Sequence, residues 1–457
     1  MRRTESTQIC IRGLPILSFS RGTLLKTIVA LALIFSGAPA LPYSFQTHEQ
    51  LIDLTWKASI RPLLLARFPN LTPAQLHEAH AYAYGGCAIQ DIGYYPFGDG
   101  FYSDLMHYVR AGDFVRSLLR NARTPDELAF AIGALTHYVA DNIGHSEAVN
   151  LSVPVEFPKL KKRYGPNVNY GEDPHAHVRT EFAFDINELT KRRMAPSAYL
   201  HHVGLYVATD LLRRSFYETY GIDIRRLFIP GHPIVRGYAF SVRSFLPRIA
   251  YAEAVLHRNS FPPDTPSEPL DKLKASLAQA DYENGWDQYR KKAGFLTYTM
   301  AGFIYILPKI GPLSNLSIRG PNQQTQELYV ESLNQTIDSL RQMLAHFDQI
   351  GSYLPNRDLD TGAEVRPGGY RLTDETYAHL LANLTRHPER SVPLHLQHDI
   401  IAYYADPNAP ISTKKHHDQW AQVQANLKVL ATMRTTTDPD PDDGDTTTPA
   451  APSNTQQ

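Results

Sequence analysis

Cysteine is nearly absent: Cys10 and Cys87 are the whole complement of the 457 residues. That excludes a framework of several disulfides, and no paired CxxC is present for thiol redox chemistry or a cysteine-rich zinc site. Long apolar runs are also missing. Residues 27–35 and 293–307 are the most apolar stretches, and both fall short of the roughly 20 residues a helix needs to cross a bilayer. Excess charge of either sign is lacking, with a net charge of −1 and 20% charged residues, so there is no electrostatic footprint for nucleic acid or an anionic membrane. There is no sustained period-two alternation, internal repeat, phosphate-cradling glycine loop or nucleophile elbow. Cys87 carries no sign of a nucleophile. What remains is a chain of one large or two smaller domains, read as all-α, whose 33 prolines and 26 tyrosines suggest long, partly aromatic connections.

The ends differ from the rest. Arg2, Arg3, Arg21 and Lys26 precede the apolar run at 27–35, and Ala38-Pro39-Ala40 offers small residues for cleavage. This reads as a signal peptide over residues 1–40, with export and a mature chain starting near Leu41. Cleavage would remove Cys10 and leave Cys87 alone, so any staple of the exported chain must be something other than a disulfide. After Met433 the sequence turns Thr/Asp/Pro-rich to Gln457, a composition that cannot bury a core and is expected to be a disordered tail over 434–457.

The centre of the chain is Ala134-Leu135-Thr136-His137-Tyr138-Val139-Ala140-Asp141-Asn142-Ile143-Gly144-His145. His137, Asp141 and His145 are spaced four apart, and each step of four on a helix rotates a side chain by only about 40°. Two imidazoles around a carboxylate form a poor apolar stripe but a good donor set for a divalent ion. Thr124-Pro125-Asp126-Glu127 reads as a capping box that starts this helix. Gly144 is a candidate terminator, which would put His145 in the exit turn. Since most helix histidines are surface or satisfied core residues, the triplet alone decides nothing.

Other chemistry is spread along the chain. His48 lies in the first turns of the expected mature protein, before a helical pattern through Leu51, Leu54, Trp56 and Leu63. Thr72-Pro73-Ala74-Gln75 is a second capping box, and His77 and His80 on its helix read as exposed. Asp91 stands among small and apolar residues without a basic neighbour in sequence, so it must be exposed, capping or bound to a cation. His107 falls on the apolar side of a helix beginning near Ser103. Residues 153–174 are proline-broken and read as loop. His177 and Glu181 are again four apart, and Asp185, one turn on, is a candidate to orient His177 or to support the ligands from behind. Residues 293–307 favour a buried helix, with a membrane-interfacial one as the rival. Leu333, Ile337, Leu340, Leu344 and Phe347 mark an amphipathic helix ending at Gly351. Residues 356–392 read as loop-rich, and a last helix carries Trp420.

An early histidine, an aspartate followed sixteen residues later by a histidine, H-x3-D with another histidine, and H-x3-E-x3-D occur in that order. This resembles the zinc-dependent phospholipase C family, including the N-terminal domain of glycosylphosphatidylinositol-specific phospholipase D, and is similar to the single-strand-specific zinc nucleases. The resemblance runs from about Phe45 to Asp185, and more weakly through residues 308–313 and the amphipathic helix that follows. It implies a helical bundle around two or three zinc ions. Asp91 would be the bridging carboxylate, partnered by His107, His137 and Asp141. His145, His177 and Glu181 would hold a second ion, and His48 with Asp141 a third. Two features depart from the family: the N-terminal tryptophan ligand of its shorter members is absent, and their histidine after H-x3-D lies further along than His145.

The implied activity is hydrolysis of a phospholipid head-group ester by zinc-activated water attack on phosphorus, with Asp91 as catalytic base as well as ligand. The substrate would be a phospholipid met by peripheral membrane contact, and nucleic acid is not favoured as a partner. The alternatives are a single-strand-specific nuclease, which should show a basic groove with aromatic platforms, and an exported helical protein whose zinc is structural. On this reading the catalytic region covers 41–220, and residues 221–433 form a helical C-terminal region of unknown role.

Overall fold

The computed structural model describes residues 45–95, 98–227, 253–256, 261–290, 320–350 and 354–437. The expected signal peptide, the apolar run at 293–307 with the 308–313 stretch, and the tail beyond residue 437 lie outside the described residues. Helix α1, Phe45–Thr55, runs through a π turn at Trp56–Ile60 into a further helical segment, Arg61–Arg67. At the start of α2, Pro73–Cys87, the Thr72 hydroxyl accepts from the Gln75 N–H while the Gln75 side chain accepts from the Thr72 N–H. A 3₁₀ turn, Ile89–Tyr94, leads to α3, Gly100–Tyr108, and α4, Ala111–Asn121. Helix α5, Pro125–Gly144, is capped by Thr124, but the Glu127 carboxylate turns to the Arg123 N–H, so only half of that expected box forms. Helix α6, Pro174–Thr190, is capped by Asp173. The remaining principal helices are α7, Thr209–Tyr220; α8, Glu268–Asn284; α9, Gln323–Ala345; α10, Arg371–Thr385; and α11, His417–Leu430.

Helix α5 is the buried axis of this all-α fold. Every residue from Leu128 to Asn142 is buried, and α2, α4 and α9 all pack against it. Leu128, Ile132 and Leu135 belong to the same apolar core as Leu333, Ile337 and Leu340 of α9. Each such side chain contributes about 1.5–3 kcal/mol on full burial.

Two glycines set how close α2 comes. A Cβ on Gly86 would lie 1.9 Å from the Phe130 carbonyl oxygen, and one on Gly133 would lie 2.1 Å from that of Ala83. The helices therefore meet backbone to backbone, and α2 runs through its Gly85-Gly86 pair rather than stopping there. Gly133→Val is expected to force the helices apart and cost about 3 kcal/mol or more, read as a lowered urea midpoint. An unchanged midpoint would mean that the crossing yields more easily than backbone contacts allow.

Several connections are more helical than the sequence suggests. Gly144 has helical dihedrals (φ −63°, ψ −42°), so α5 does not end there but continues through a π turn, His145–Val149, into Asn150–Glu156. Pro154 sits inside that last segment, and Pro158–Tyr164 is helical as well, so the expected loop over 153–174 is mostly helix. Proline tolerates the first turn of a helix, where its missing N–H has no intrahelical partner, and Pro158 takes that place. Likewise α10 occupies part of the expected loop region over 356–392. The expected tail also starts in ordered structure, because Thr435–Thr436 pairs in parallel with Val392–Pro393. Among the described residues no helix is long and apolar enough to cross a membrane.

Candidate metal centre

His137 and Asp141 project from the middle of α5, and the close α2–α5 crossing brings the Cys87 carbonyl to within 2.9 Å of His137 Nδ1. The Ser103 carbonyl, one turn back on α3, lies 2.8 Å from His107 Nδ1. The Leu359 carbonyl lies 2.9 Å from His145 Nδ1. A carbonyl can only accept, so in all three rings Nδ1 carries the proton and Nε2 of the neutral imidazole presents a lone pair. Those three lone pairs face carboxylates. His137 Nε2 is 3.0 Å and His107 Nε2 3.4 Å from Asp141 Oδ2, and the two nitrogens are 3.4 Å from each other. Asp91 Oδ1, from the 3₁₀ turn, is 3.3 Å from His107 Nε2 and 3.9 Å from His137 Nε2. His48 of α1 stacks on His137, with centroids 4.3 Å apart, and brings Nε2 to 3.3 Å from Asp141 Oδ1.

A second group adjoins the first. His145, the first residue of the π turn, sets Nε2 3.1 Å from Glu181 Oε1, and His177 Nε2 lies 3.0 Å from the same oxygen. His177 and Glu181 are one turn apart on α6. Asp141 Oδ1 lies 4.0 Å from His145 Nε2. Asp91, the bridging carboxylate that the resemblance implies, lies against His107 and His137, and Asp141 reaches imidazoles of both groups.

The structure brings together all eight expected side chains, as His48–His137–Asp141, Asp91–His107–His137 and His145–His177–Glu181, with ligand atoms in each group within 4.8 Å of one another. All eight are buried, none more than 3% exposed. Neither oxygen of Asp141, nor Asp91 Oδ1, nor either ring nitrogen of His177 takes part in a hydrogen bond. Lone pairs facing carboxylates in a dry interior repel unless a positive charge lies between them. Without a cation, protons must supply that charge. Burial opposes the charged form of His107, yet the Asp141 and Asp91 carboxylates hold it well above the usual imidazole range. Burial likewise opposes charge on His145, but Asp141 and Glu181 push it up to about 9. Burial would raise Asp141, whereas His137 and His145 hold it well below the usual carboxylate range; His177 and His145 outweigh burial in the same way at Glu181. Imidazole nitrogen and carboxylate oxygen are a donor set suited to zinc, and the residues fit zinc binding.

Other expectations are revised. Asp185 does not orient His177 but accepts from the Thr47 hydroxyl at 2.6 Å. His80 is buried rather than exposed, stacked on Trp56 and 3.0 Å from Asp53, while His77 is exposed as expected. Cys87 is fully buried and its thiol is pushed well up by burial, consistent with an inert side chain. Sequence reasoning missed the turn around Leu359 and Asp360. Asp360 Oδ1 lies 3.7 Å from His145 Nδ1. A backbone carbonyl leaves no residue-type signal, and an aspartate in a Gly/Pro-rich stretch reads as an ordinary turn residue.

A helical frame thus gathers buried imidazoles and carboxylates from α1, the 3₁₀ turn, α3, α5, the π turn and α6 into a candidate metal site. Residues 47–229 match the family model described as zinc dependent phospholipase C. No curated protein and no solved structure matches the chain.

Proposed function

We propose that the protein is an exported zinc-dependent phosphodiesterase that hydrolyses phospholipid head-group esters. The observation that carries the reading is Asp141, a buried carboxylate whose two oxygens take no hydrogen bond and face imidazoles from two adjoining donor groups. In this reading His48, Asp91, His107, His137, Asp141, His145, His177 and Glu181 hold two or three zinc ions. Bound zinc supplies Lewis acidity toward the phosphoryl oxygens and a water nucleophile at neutral pH. The chain's own groups hold that chemistry in place. The Cys87, Ser103 and Leu359 carbonyls keep the proton on Nδ1 of three imidazoles, and Asp91, beside His107 and His137, would serve as the base that takes up a proton from water. In this reading substrate reaches the centre from a membrane surface.

One observation favours a second reading. All eight donors are 3% exposed or less, and structural zinc sites are closed whereas catalytic ones keep an open position. Turnover separates the two. Zinc-replete protein is expected to release phosphorylated head group from a short-chain phosphatidylcholine, and chelation should abolish release. Stoichiometric zinc without turnover would favour a structural centre, and digestion of single-stranded DNA in its place would move the activity to a nuclease.

A further inference from the structure

The segment that closes the centre from behind lies far outside residues 47–229, between Leu354 and α10. It is held to the core at many points. The Tyr138 hydroxyl donates to the Pro355 carbonyl at 2.6 Å, and the Asp113 N–H donates to Asn356 at 2.9 Å. The Asp358 carboxylate accepts from the Thr361 N–H at 2.9 Å, making a tight turn. Gly362 has φ +70°, and a Cβ there would lie 2.7 Å from the Asn142 carbonyl oxygen, so the turn sits directly on α5. At its apex Leu359 faces both donor groups through its backbone. Its carbonyl accepts from His145 Nδ1, and its N–H donates to the His107 carbonyl, each at 2.9 Å.

Asp360 is next in the chain and 3% exposed. Its Oδ2 accepts from the Tyr370 hydroxyl at 2.6 Å and from that of Tyr108 at 3.0 Å, and its carbonyl accepts from Asn150 at 2.6 Å. That leaves Oδ1 turned toward His145 Nδ1 at 3.7 Å. The Tyr370 hydroxyl also accepts from the Gly171 N–H at 2.9 Å, and Tyr170 stands edge-on to the His177 ring. The same anchor thus reaches the loop that leads into α6. A carbonyl fixes the tautomer of an imidazole, and a carboxylate behind the ring raises the basicity of the opposite nitrogen.

We propose that Asp360, together with the Leu359 carbonyl, is a positioning element for His145, and that this turn sets the zinc affinity of the His145–His177–Glu181 group. The proposal rests on the zinc reading above. It gives part of the C-terminal region a role in the centre: the segment supplies no ligand but determines how strongly one ligand donates.

The test is a zinc titration of the full-length protein against a chromophoric chelator, with elemental analysis. Asp360→Asn keeps shape and one acceptor oxygen while removing the charge. It is expected to weaken one zinc ion by about 10–100-fold and leave the others at wild-type affinity. The melting temperature of the metal-free protein should stay at the wild-type value. Tyr370→Phe removes one anchor and keeps the charge, so it should weaken the same ion by a smaller factor. It carries the test alone if Asp360→Asn does not fold. Unchanged affinity for every ion overturns the proposal. So does uniform weakening of all ions together with a loss of metal-free stability, which would mark a purely structural role. Absence of zinc from the wild type as well would be the failure of the zinc reading itself, and is recognised because it does not depend on the substitution.

Discussion

Asp141→Asn is expected to lose at least one zinc ion and to lower phosphodiester hydrolysis by about 10³-fold or more, several kcal/mol of transition-state stabilisation. The substitution preserves volume in a fully buried position, so packing around α5 survives. What changes is charge and donor character. In the wild type Oδ1 faces His48 at 3.3 Å and His145 at 4.0 Å, and Oδ2 faces His137 at 3.0 Å and His107 at 3.4 Å. An amide nitrogen in either place would donate to the Nε2 lone pairs and satisfy them without a cation. Circular dichroism should therefore remain that of the wild type while elemental analysis shows the metal missing. Wild-type zinc content in this variant would remove the main support for the centre.

Chelation of the wild type is expected to lower its melting temperature by about 10 °C or more. Each ion bound at a thousandfold excess over its Kd stabilises the native state by about 4 kcal/mol, and a kcal/mol moves the midpoint of a domain of this class by about 2–4 °C. The loss should depend on pH. In the metal-free protein His145 is raised to about 9 because Asp141 and Glu181 outweigh its burial. Its folded value lies above the unfolded one, so its contribution is fully present below about pH 6.5 and is lost as pH rises through about 9. Zinc competes with the same proton, so its affinity rises over that window. Melting curves at about pH 6 and pH 9, with zinc and with chelator, should diverge as pH increases. A gap that narrows toward pH 9 would contradict the assignment of His145 as a ligand.

How legible a part was in the sequence depended on how local its physics is. His137 and Asp141, and His177 and Glu181, are each separated by one helical turn, so their shared face followed from spacing. Asp91 and His107 lie on separate elements, and only the order of the motifs linked them to α5. The close α2–α5 crossing was hidden because Gly86 and Gly133 look like punctuation until their neighbours are known. The continuation of α5 past Gly144 was missed because glycine there adopts ordinary helical dihedrals. The Leu359 carbonyl was silent for a different reason: every residue has one, and only the tertiary fold decides which carbonyl meets His145. The helical character of residues 150–156, 158–164 and α10 was concealed by prolines and glycines that read as loop, although Pro154 sits inside a helical segment and Pro158 at a helix start.

The backbone of Leu359 faces both ways, giving its N–H to the carbonyl of His107 and taking the ring Nδ1–H of His145 on its own carbonyl. One peptide neighbourhood late in the chain is thereby stitched to the two donor groups assembled much earlier. A transplant of residues 47–229 into another scaffold would carry every proposed ligand yet leave His145 without the acceptor that orients it. On the zinc reading, residues 47–229 would therefore not be a portable module, because the carbonyl that orients one of their ligands lies outside them.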